Sequence, residues 1–571
     1  MQAQDAPGTD VPQVPARPRL SRDRAQQAGL LEQFRRQGPD GAKQRPFARA
    51  HQVPRTTLQR WLGRPLPSEA AEQEVAFFES PVGVAFLHRL QTAAHLVMSL
   101  MGACGIRLVC QLLRYAGLAP FLACSYGAQH SVAQRLEQQV VCLGQQEQQR
   151  LGAQMPPRTV TLVEDETFHP QPCLVAIEPV SNFIVLERYA QRRDAATWTQ
   201  HIQAALVGLP IQVVQVTSDE GKGLLRHTKT ELGVHHSPDL FHVQYEISGG
   251  TAAPLAAQVR AAQASVDQAS EQLQQVLLQQ QEAAQKPRGP GRPIDFPARI
   301  EAAQEQLQQA QQTMHTKEAH RQGMQQTVRD LAQVYHPFDL KTGLKRTEAE
   351  VKTDLGCLMD KARKEAQQAG LSAAAQQRIN KAARGVPALV ATIAFFHGLV
   401  HQRVAALGLP TEVSALVHKI LIPALYLQRV AKATAGAPAR ASLRQVAQGL
   451  LDAQRAAPPS WALLPEATKA AVWSLAKDCA DLFQRASSCV EGRNGQLALR
   501  HHHLHQISAL RLEALTVIHN YVLRRADGTT AAQRFFGAPP KDLFMELCRS
   551  LPLPARPRQR GPSKAIPDQA N

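Results

Sequence analysis

The stretch Arg158-Thr-Val-Thr-Leu-Val-Glu-Asp-Glu-Thr167, answered further on by Ile211-Gln-Val-Val-Gln-Val-Thr-Ser-Asp219, decides how this chain is read. Residues 159–163 and 211–216 are rich in β-branched side chains and are predicted to be strands. Each run stops just short of an acidic residue, Asp165 in the first case and Asp219 in the second. A carboxylate beside a buried strand is costly unless it is paired or binds a cation. Two such placements point to a metal-binding carboxylate set whose third member lies far downstream, with Glu491 as the candidate. Each aspartate also has a structural reading. Asp165 lies between Glu164 and Glu166, as in an exposed acidic turn, and Asp219 can cap the helix that follows it.

Working outward, residues 173–177 and 183–186 are two more strands, joined by the turn-like Glu178-Pro-Val-Ser-Asn182. Asp194 can cap a helix that holds Ala196, Trp198, Ile202, Leu206 and Leu209. The run 211–216 suits a largely buried parallel strand, and a helix is expected over 223–232. Three strands, helix, strand, helix gives a meander whose fourth strand returns beside the first by a helical crossover. Asp165 and Asp219 then face each other.

Nearer the N-terminus, residues 1–20 are Pro-rich and polar, the composition of a disordered segment. Ser21 can cap a helix carrying Ala28, Leu31 and Phe34 and ending near Gly38. Residues 45–62 form a helix-turn-helix pattern, with Phe47, Ala48, Val53, Leu58, Trp61 and Leu62 as its small core. Pro54 suits the first position of the second helix. Arg49, Arg55, Thr56, Gln59 and Arg60 then point outward, and these are groove- and phosphate-facing types. An ordinary helical hairpin with a basic face is the plainer alternative. Residues 67–150 are helical again, open to a second helix-turn-helix or to simple helical packing.

The 571 residues suffice for three or four domains. A net charge of +17, from 64 Lys and Arg against 47 Asp and Glu, suggests a polyanionic partner, nucleic acid before membrane. Nine cysteines without a Cys-x-x-Cys pair argue against a zinc ribbon or a disulfide framework. No signal-peptide pattern opens the chain, and its longest apolar run, near 93–106, is too short to span a bilayer. A soluble, cytoplasmic, nucleoid-associated protein is expected.

Residues 250–335 are rich in Gln and Ala. Leu255, Val259, Ala262, Val266, Ala269, Leu273 and Val276 follow a coiled-coil seam, repeated by Ile300, Ala303, Leu307, Ala310 and Met314. Lys286-Pro-Arg-Gly-Pro-Gly-Arg-Pro293 breaks the two helices, so an antiparallel hairpin with a basic tip is expected. Arg288 and Arg292 at that tip resemble a minor-groove hook, against the plainer reading of a solvated turn. Residues 336–480 continue as helices, 481–550 carry Glu491, and 551–571 form a basic tail expected to be disordered.

Asp165-Glu166-Thr167, Asp239-Leu-Phe-His242-Val and Ser488-Cys-Val-Glu491-Gly-Arg-Asn494 together resemble the motifs of DDE transposases of bacterial insertion sequences. The segment Arg525-Ala-Asp-Gly-Thr-Thr-Ala-Ala-Gln-Arg-Phe-Phe-Gly537 looks like a poorly described group of transposase-like bacterial proteins. The likeness covers 158–247 and 480–550; elsewhere it is one of architecture. It implies a multidomain, mostly α-helical chain with one α/β RNase H-like core in 151–249 and 481–550. The mixed sheet would run in the order 3-2-1-4-5, interrupted by the helical and coiled-coil insertion.

Three carboxylates without cysteine or histidine suit Mg²⁺, with Mn²⁺ as a substitute. Two such ions, roughly 3.5–4 Å apart, activate a water and stabilise the leaving oxygen of a phosphodiester. The resemblance implies that Asp165, Asp219 and Glu491 hold them, and that a freed 3′-OH then attacks target DNA. Glu246 lies nearer in sequence but lacks an Asn three residues on. His242 is open to two readings, orienting a carboxylate or phosphate, or filling the core. Asn494 and Arg500 share the Glu491 helix and can reach phosphates. His501 to His505 diverge around a helix and are not expected to converge on one ion. The expected partners are double-stranded DNA and a second copy of the chain. The competing classes are a non-catalytic DNA-binding protein, whether regulator or decayed transposase, and another RNase H-like nuclease.

Overall fold

The structure, a computed structural model, describes residues 24–37, 43–63, 70–168, 171–285, 291–453, 458–504 and 506–557. Its contacts divide the chain into two units. A terminal unit comprises Met1–Gln148, His503–Leu523 and Pro540–Asn571; a central unit comprises Gln149–His502 and Arg524–Pro539.

The terminal unit begins with α1 (Arg24–Arg36), α2 (Gln44–Ala50) and α3 (Arg55–Leu62). Leu30, Leu31, Phe47, Ala48, Val53 and Leu58 form their core, with Phe34, Trp61 and Leu62 packed on its edge. The residues expected to form this small core are therefore gathered in it. Pro54 stands one residue before α3, at its N-cap, with φ −57° and ψ 132°. Ser21 and Gly38 lie outside the described residues. Next come α4 (Glu72–Phe78), α5 (Pro81–Ala94), which runs into a π-helical stretch His95–Met101, then α6 (Ile106–Tyr115) and α7 (Tyr126–Gln154). Val75, Leu87, Val109, Leu113, Phe121 and Leu122 build a separate core among them.

In the central unit, β1 (Arg158–Phe168), β2 (Pro172–Glu178), β3 (Phe183–Tyr189), β4 (Ile211–Ser218) and β5 (His235–Pro238) form one mixed sheet, in the order β3-β2-β1-β4-β5. The β1–β2 and β2–β3 pairs are antiparallel, while β4 is parallel to both β1 and β5. A single helix, α8 (Ala195–Leu206), connects β3 to β4, and Asp194 caps it by accepting from the Thr197 amide at 2.9 Å. Trp198 and Ile202 of α8 are fully buried against Val160, Leu162, Leu174, Ala176 and Val216. Burial of each such side chain contributes roughly 2–3 kcal/mol. This apolar face is the one toward which Glu164 points, since successive strand residues alternate sides.

A short helix Lys222–Arg226 precedes β5, and α9 (Leu240–Gln285) starts immediately after that strand. With α10 (Phe296–Val334), α9 makes the expected antiparallel hairpin. Ala262, Ala269 and Ala303 are buried in its seam, and Leu255 is buried at its base. Helices α11 (Glu348–Gln368), α12 (Ala373–Arg384), α13 (Val386–Ala405), α14 (Ile422–Ala433) and α15 (Glu466–Leu482) pack around that base in the largest core of the chain. Two stretches, Ala373–Ala405 and Thr411–Ala433, are long and apolar enough to cross a membrane. Their Leu389, Ile393, Phe396, Val400, Ile422 and Tyr426 lie inside that same core. Finally α16 (Ser488–Leu504) carries Glu491, α17 (Ala509–Tyr521) and α19 (Leu543–Ser550) belong to the terminal unit, and α18 (Ala531–Phe536) belongs to the central one.

Candidate functional site

Asp165 does not follow a strand, as the sequence suggested. It lies inside β1, which continues to Phe168 because β2 stays paired with it from Val163↔Ile177 to Phe168↔Pro172. What ends near Asp165 is the pairing with β4, whose last register is Val163↔Thr217. Asp165 therefore stands just beyond the parallel seam, and Asp219 follows the last residue of β4. The carboxylates lie at the same ends of two neighbouring parallel strands.

The strand register also fixes which face Asp165 uses. Asp165 pairs with Val175, and Val175 pairs with Glu187, so the three side chains stand abreast on one face of β1, β2 and β3. Helix α16 lies over this face. Arg493 donates to Glu187 through Nε at 2.7 Å and through Nη2 at 2.6 Å, while Asn494 donates from Nδ2 to Asp165 Oδ2 at 3.3 Å. Val490 and Leu497 bury the apolar side of the same helix. Glu491, one turn before Asn494, consequently faces the same corner.

A second clamp sets the start of α16. Asp239 is 1% exposed, and its Oδ1 accepts from the amides of Phe241 at 2.9 Å and Ser487 at 3.1 Å. Its Oδ2 takes the Ser487 hydroxyl at 2.5 Å and His242 Nδ1 at 2.7 Å. The Leu240 amide donates to the Arg485 carbonyl at 2.9 Å, and the Asp239 amide to the Ser218 carbonyl at 3.0 Å. The end of β4, the start of α9 and the start of α16 are thus tied at one carboxylate.

The charges respond to this crowding. Burial pushes the Asp165 carboxyl up to about 7; the Glu166 amide and His242 oppose the rise, and Glu491 and Asp219 add to it. His242 is pushed up to about 9, first by its bond to Asp239, with burial opposing and the charges of Asp239, Asp165 and Asp219 assisting. Burial disfavours the charged form of Asp239, but hydrogen bonds from His242 and Ser487 win and hold it below its ordinary value. Asp165 therefore lies within electrostatic reach of Asp219, Glu491 and the supporting His242. As they stand, they do not close on one point. Among the described residues, no group of three His, Cys, Asp or Glu side chains is arranged to hold an ion.

The remaining expectations separate clearly. Glu246 is bound to Lys381 at 2.8 Å and Arg378 at 3.2 Å, a structural role away from the site. His501 meets the Tyr189 hydroxyl at 3.2 Å, while His505 lies outside the described residues. Arg500 is half-buried further along α16. Arg292 is exposed beside the hairpin tip, and Arg288 lies outside the described residues. Arg49, Arg55, Thr56, Gln59 and Arg60 are all exposed on α2 and α3. Asp239, Ser487, Arg493 and Glu187 were missed as positioning residues. Asp239 sits in a quoted motif and was findable there; the Arg493–Glu187 pair had no local signal.

Residues 417–563 match a family described as a family of unknown function, DUF6399. That segment includes Glu491 and all of α16. No match was found among curated proteins or among solved structures.

Proposed function

We propose that this chain is a DNA transposase of an insertion sequence, with an RNase H-like core and Asp165, Asp219 and Glu491 as its carboxylate triad. The observation that carries the proposal is the meeting of residues remote in sequence. Asp165 and Asp219 both stand just beyond the end of the parallel β1–β4 seam, and the Glu491–Asn494 turn is bonded to Asp165 across 329 residues.

The donors fit a hard divalent cation. Three carboxylates share the corner, and Asn494, having turned its nitrogen to Asp165, leaves its Oδ1 buried without a partner. Bound Mg²⁺ would supply activation of the attacking oxygen and stabilisation of the leaving one. Asp165, Asp219 and Glu491 would hold it. His242, kept protonated by Asp239, puts a positive charge beside the scissile phosphate. Water attacks phosphorus and the 3′ oxygen departs; that 3′-OH then attacks a phosphodiester of target DNA. Helices α2 and α3 present Arg49, Arg55, Thr56, Gln59 and Arg60 to the transposon ends.

The test is Mg²⁺-dependent nicking of DNA carrying the element's own termini, with binding measured in parallel. Asp165→Ala, Asp219→Ala and Glu491→Ala should each abolish nicking and leave binding intact. A variant that still nicks removes its residue from the triad. Specific binding with no cleavage by the unaltered protein in Mg²⁺ or Mn²⁺ would favour the non-catalytic DNA-binding alternative.

A further inference from the structure

The terminal unit holds a second feature that the helix-turn-helix does not use. A groove of about 870 Å³ runs between the end of α6, the first turns of α7 and the extended residues 551–557. Its lining includes Arg114, Arg135 and Arg556 and no aspartate or glutamate. Arg556 is neutralised by Glu79 at 2.5 Å, whereas Arg135 is exposed and Arg114 reaches only the Cys124 carbonyl at 3.4 Å. Among the described residues, Arg114 and Arg135 therefore face the groove with no carboxylate paired to them.

The groove wall is built in. The Ala123 amide donates to the Ala555 carbonyl at 2.9 Å, Arg24 of α1 donates to the Pro554 carbonyl at 3.1 Å, and Arg24 also meets Glu79 at 3.3 Å. The segment that walls the groove is thus fastened to α1, the helix that precedes the helix-turn-helix. Two exposed tyrosines adjoin its lining residues along the chain, although neither is itself part of the lining. Tyr126, between the lining residues Ser125 and Gly127, is 53% exposed, and Tyr115, next to Arg114, is 85% exposed. The whole chain has only seven tyrosines, so two such exposed rings beside one basic groove narrow the choice of ligand.

We infer that this groove binds an unpaired stretch of DNA, with Arg114 and Arg135 on its phosphates and Tyr115 and Tyr126 stacking on its bases. A cationic groove flanked by exposed aromatic faces is the arrangement that tracks a single strand. A duplex fits this groove less well: a reading helix must project into the major groove, and residues 551–557 line the groove together with the first turns of α7. The stretch left open between a second helix-turn-helix and simple helical packing would thus serve as a single-strand site. The inference rests on the proposal that the chain acts on DNA, and it supplies a place for the strand freed near a cleaved end.

The test uses the full chain and fluorescence anisotropy with labelled oligothymidylate, oligouridylate and a duplex carrying the element's ends. Tyr115→Ala and Tyr126→Ala should each weaken oligothymidylate binding roughly five- to a hundredfold and leave duplex binding unchanged. Tyr126→Phe keeps the ring and should bind as the unaltered protein does. The Arg114→Ala, Arg135→Ala double variant should lose affinity and flatten the salt dependence. Unchanged oligothymidylate binding in these variants would overturn the inference, as would an equal loss on the duplex; tighter binding of oligouridylate would overturn the assignment to DNA. The two proposals fail separately. Groove-dependent oligothymidylate binding without any nicking sinks the triad alone, and triad-dependent nicking with groove variants that bind normally sinks the groove alone.

Discussion

Replacing Arg493 with alanine is the sharpest perturbation of the α16 seam. Its guanidinium is 4% exposed and bonded by two nitrogens to Glu187, whose carboxylate is 0% exposed. The surroundings are dry enough that burial, with Glu187 adding to it, pushes the neighbouring Cys173 thiol up to about 12. Truncation would strip the buried Glu187 carboxylate of its matching guanidinium, a loss that costs about 3–5 kcal/mol. Domains are stable by only about 5–15 kcal/mol, so this is a large share. Urea unfolding followed by circular dichroism should show the loss directly. The double variant Glu187→Leu, Arg493→Met removes both charges and should recover most of the stability. Nicking should fall in Arg493→Ala, because Glu491 sits two residues from the lost anchor, and should return in part in the double variant. A cost below about 1 kcal/mol for Arg493→Ala, or a double variant no more stable than the single one, would refute the role given to this pair.

Three further outcomes are expected. Asp239→Ala leaves the Ser487 and Phe241 amides and His242 without their acceptor; it should cost about 2–3 kcal/mol and bring the His242 titration down from about 9, measured by nuclear magnetic resonance. Burial lowers His235, His236 and His397 to about 4, so the unfolded chain takes up their protons first as pH falls. Their contribution is complete above the ordinary value of 6.5 and drains away toward pH 4, by up to about 3 kcal/mol for the 5%-exposed His236; a melting temperature flat from pH 7 to 4 would contradict this. Asp165 has the opposite sign: with its folded value near 7 against an ordinary 3.8, it costs stability as pH rises through that window. Asp165→Asn should therefore stabilise the metal-free protein by up to ~4 kcal/mol at pH 8 and by almost nothing at pH 4, read from urea midpoints.

Much of this arrangement is legible in the sequence, because it rests on local patterns. β-Branched runs mark β1 to β4, a four-three apolar repeat marks the hairpin, and Phe47, Val53 and Leu58 mark the helix-turn-helix. The end of β1 was misplaced for a physical reason. Glu164-Asp165-Glu166-Thr167 has the composition of a turn, yet antiparallel pairing with β2 carries it onward, and Glu166 finds Trp198 Nε1 and Arg193, each at 3.0 Å. β5 reads His-His-Ser-Pro, has no apolar signal, and was expected only from the resemblance. The Arg493–Glu187 pair joins residues 306 apart, and no local pattern announces a partner at that distance.

The contrast between Glu187 and Asp165 sets an acid paired within the fold beside one that is not matched, on one face of one sheet. Glu187 is buried opposite a guanidinium that matches it oxygen for nitrogen, so its charge is settled within the fold. Asp165 stands two strands away with only its own Glu166 amide at 2.8 Å and the Asn494 amide at 3.3 Å. Its carboxylate neighbours, Asp219 and Glu491, make its ionisation harder, and His242, the cation that opposes them among the described residues, is already engaged by Asp239. Packing alone would favour an asparagine or an apolar residue there. A corner with three carboxylates beside one shared imidazolium carries unbalanced negative charge, and a divalent cation bridging those carboxylates would relieve it. Loading Mg²⁺ should then require Asp165 to lose its proton, which makes metal affinity rise with pH up to about 7 and level off above it.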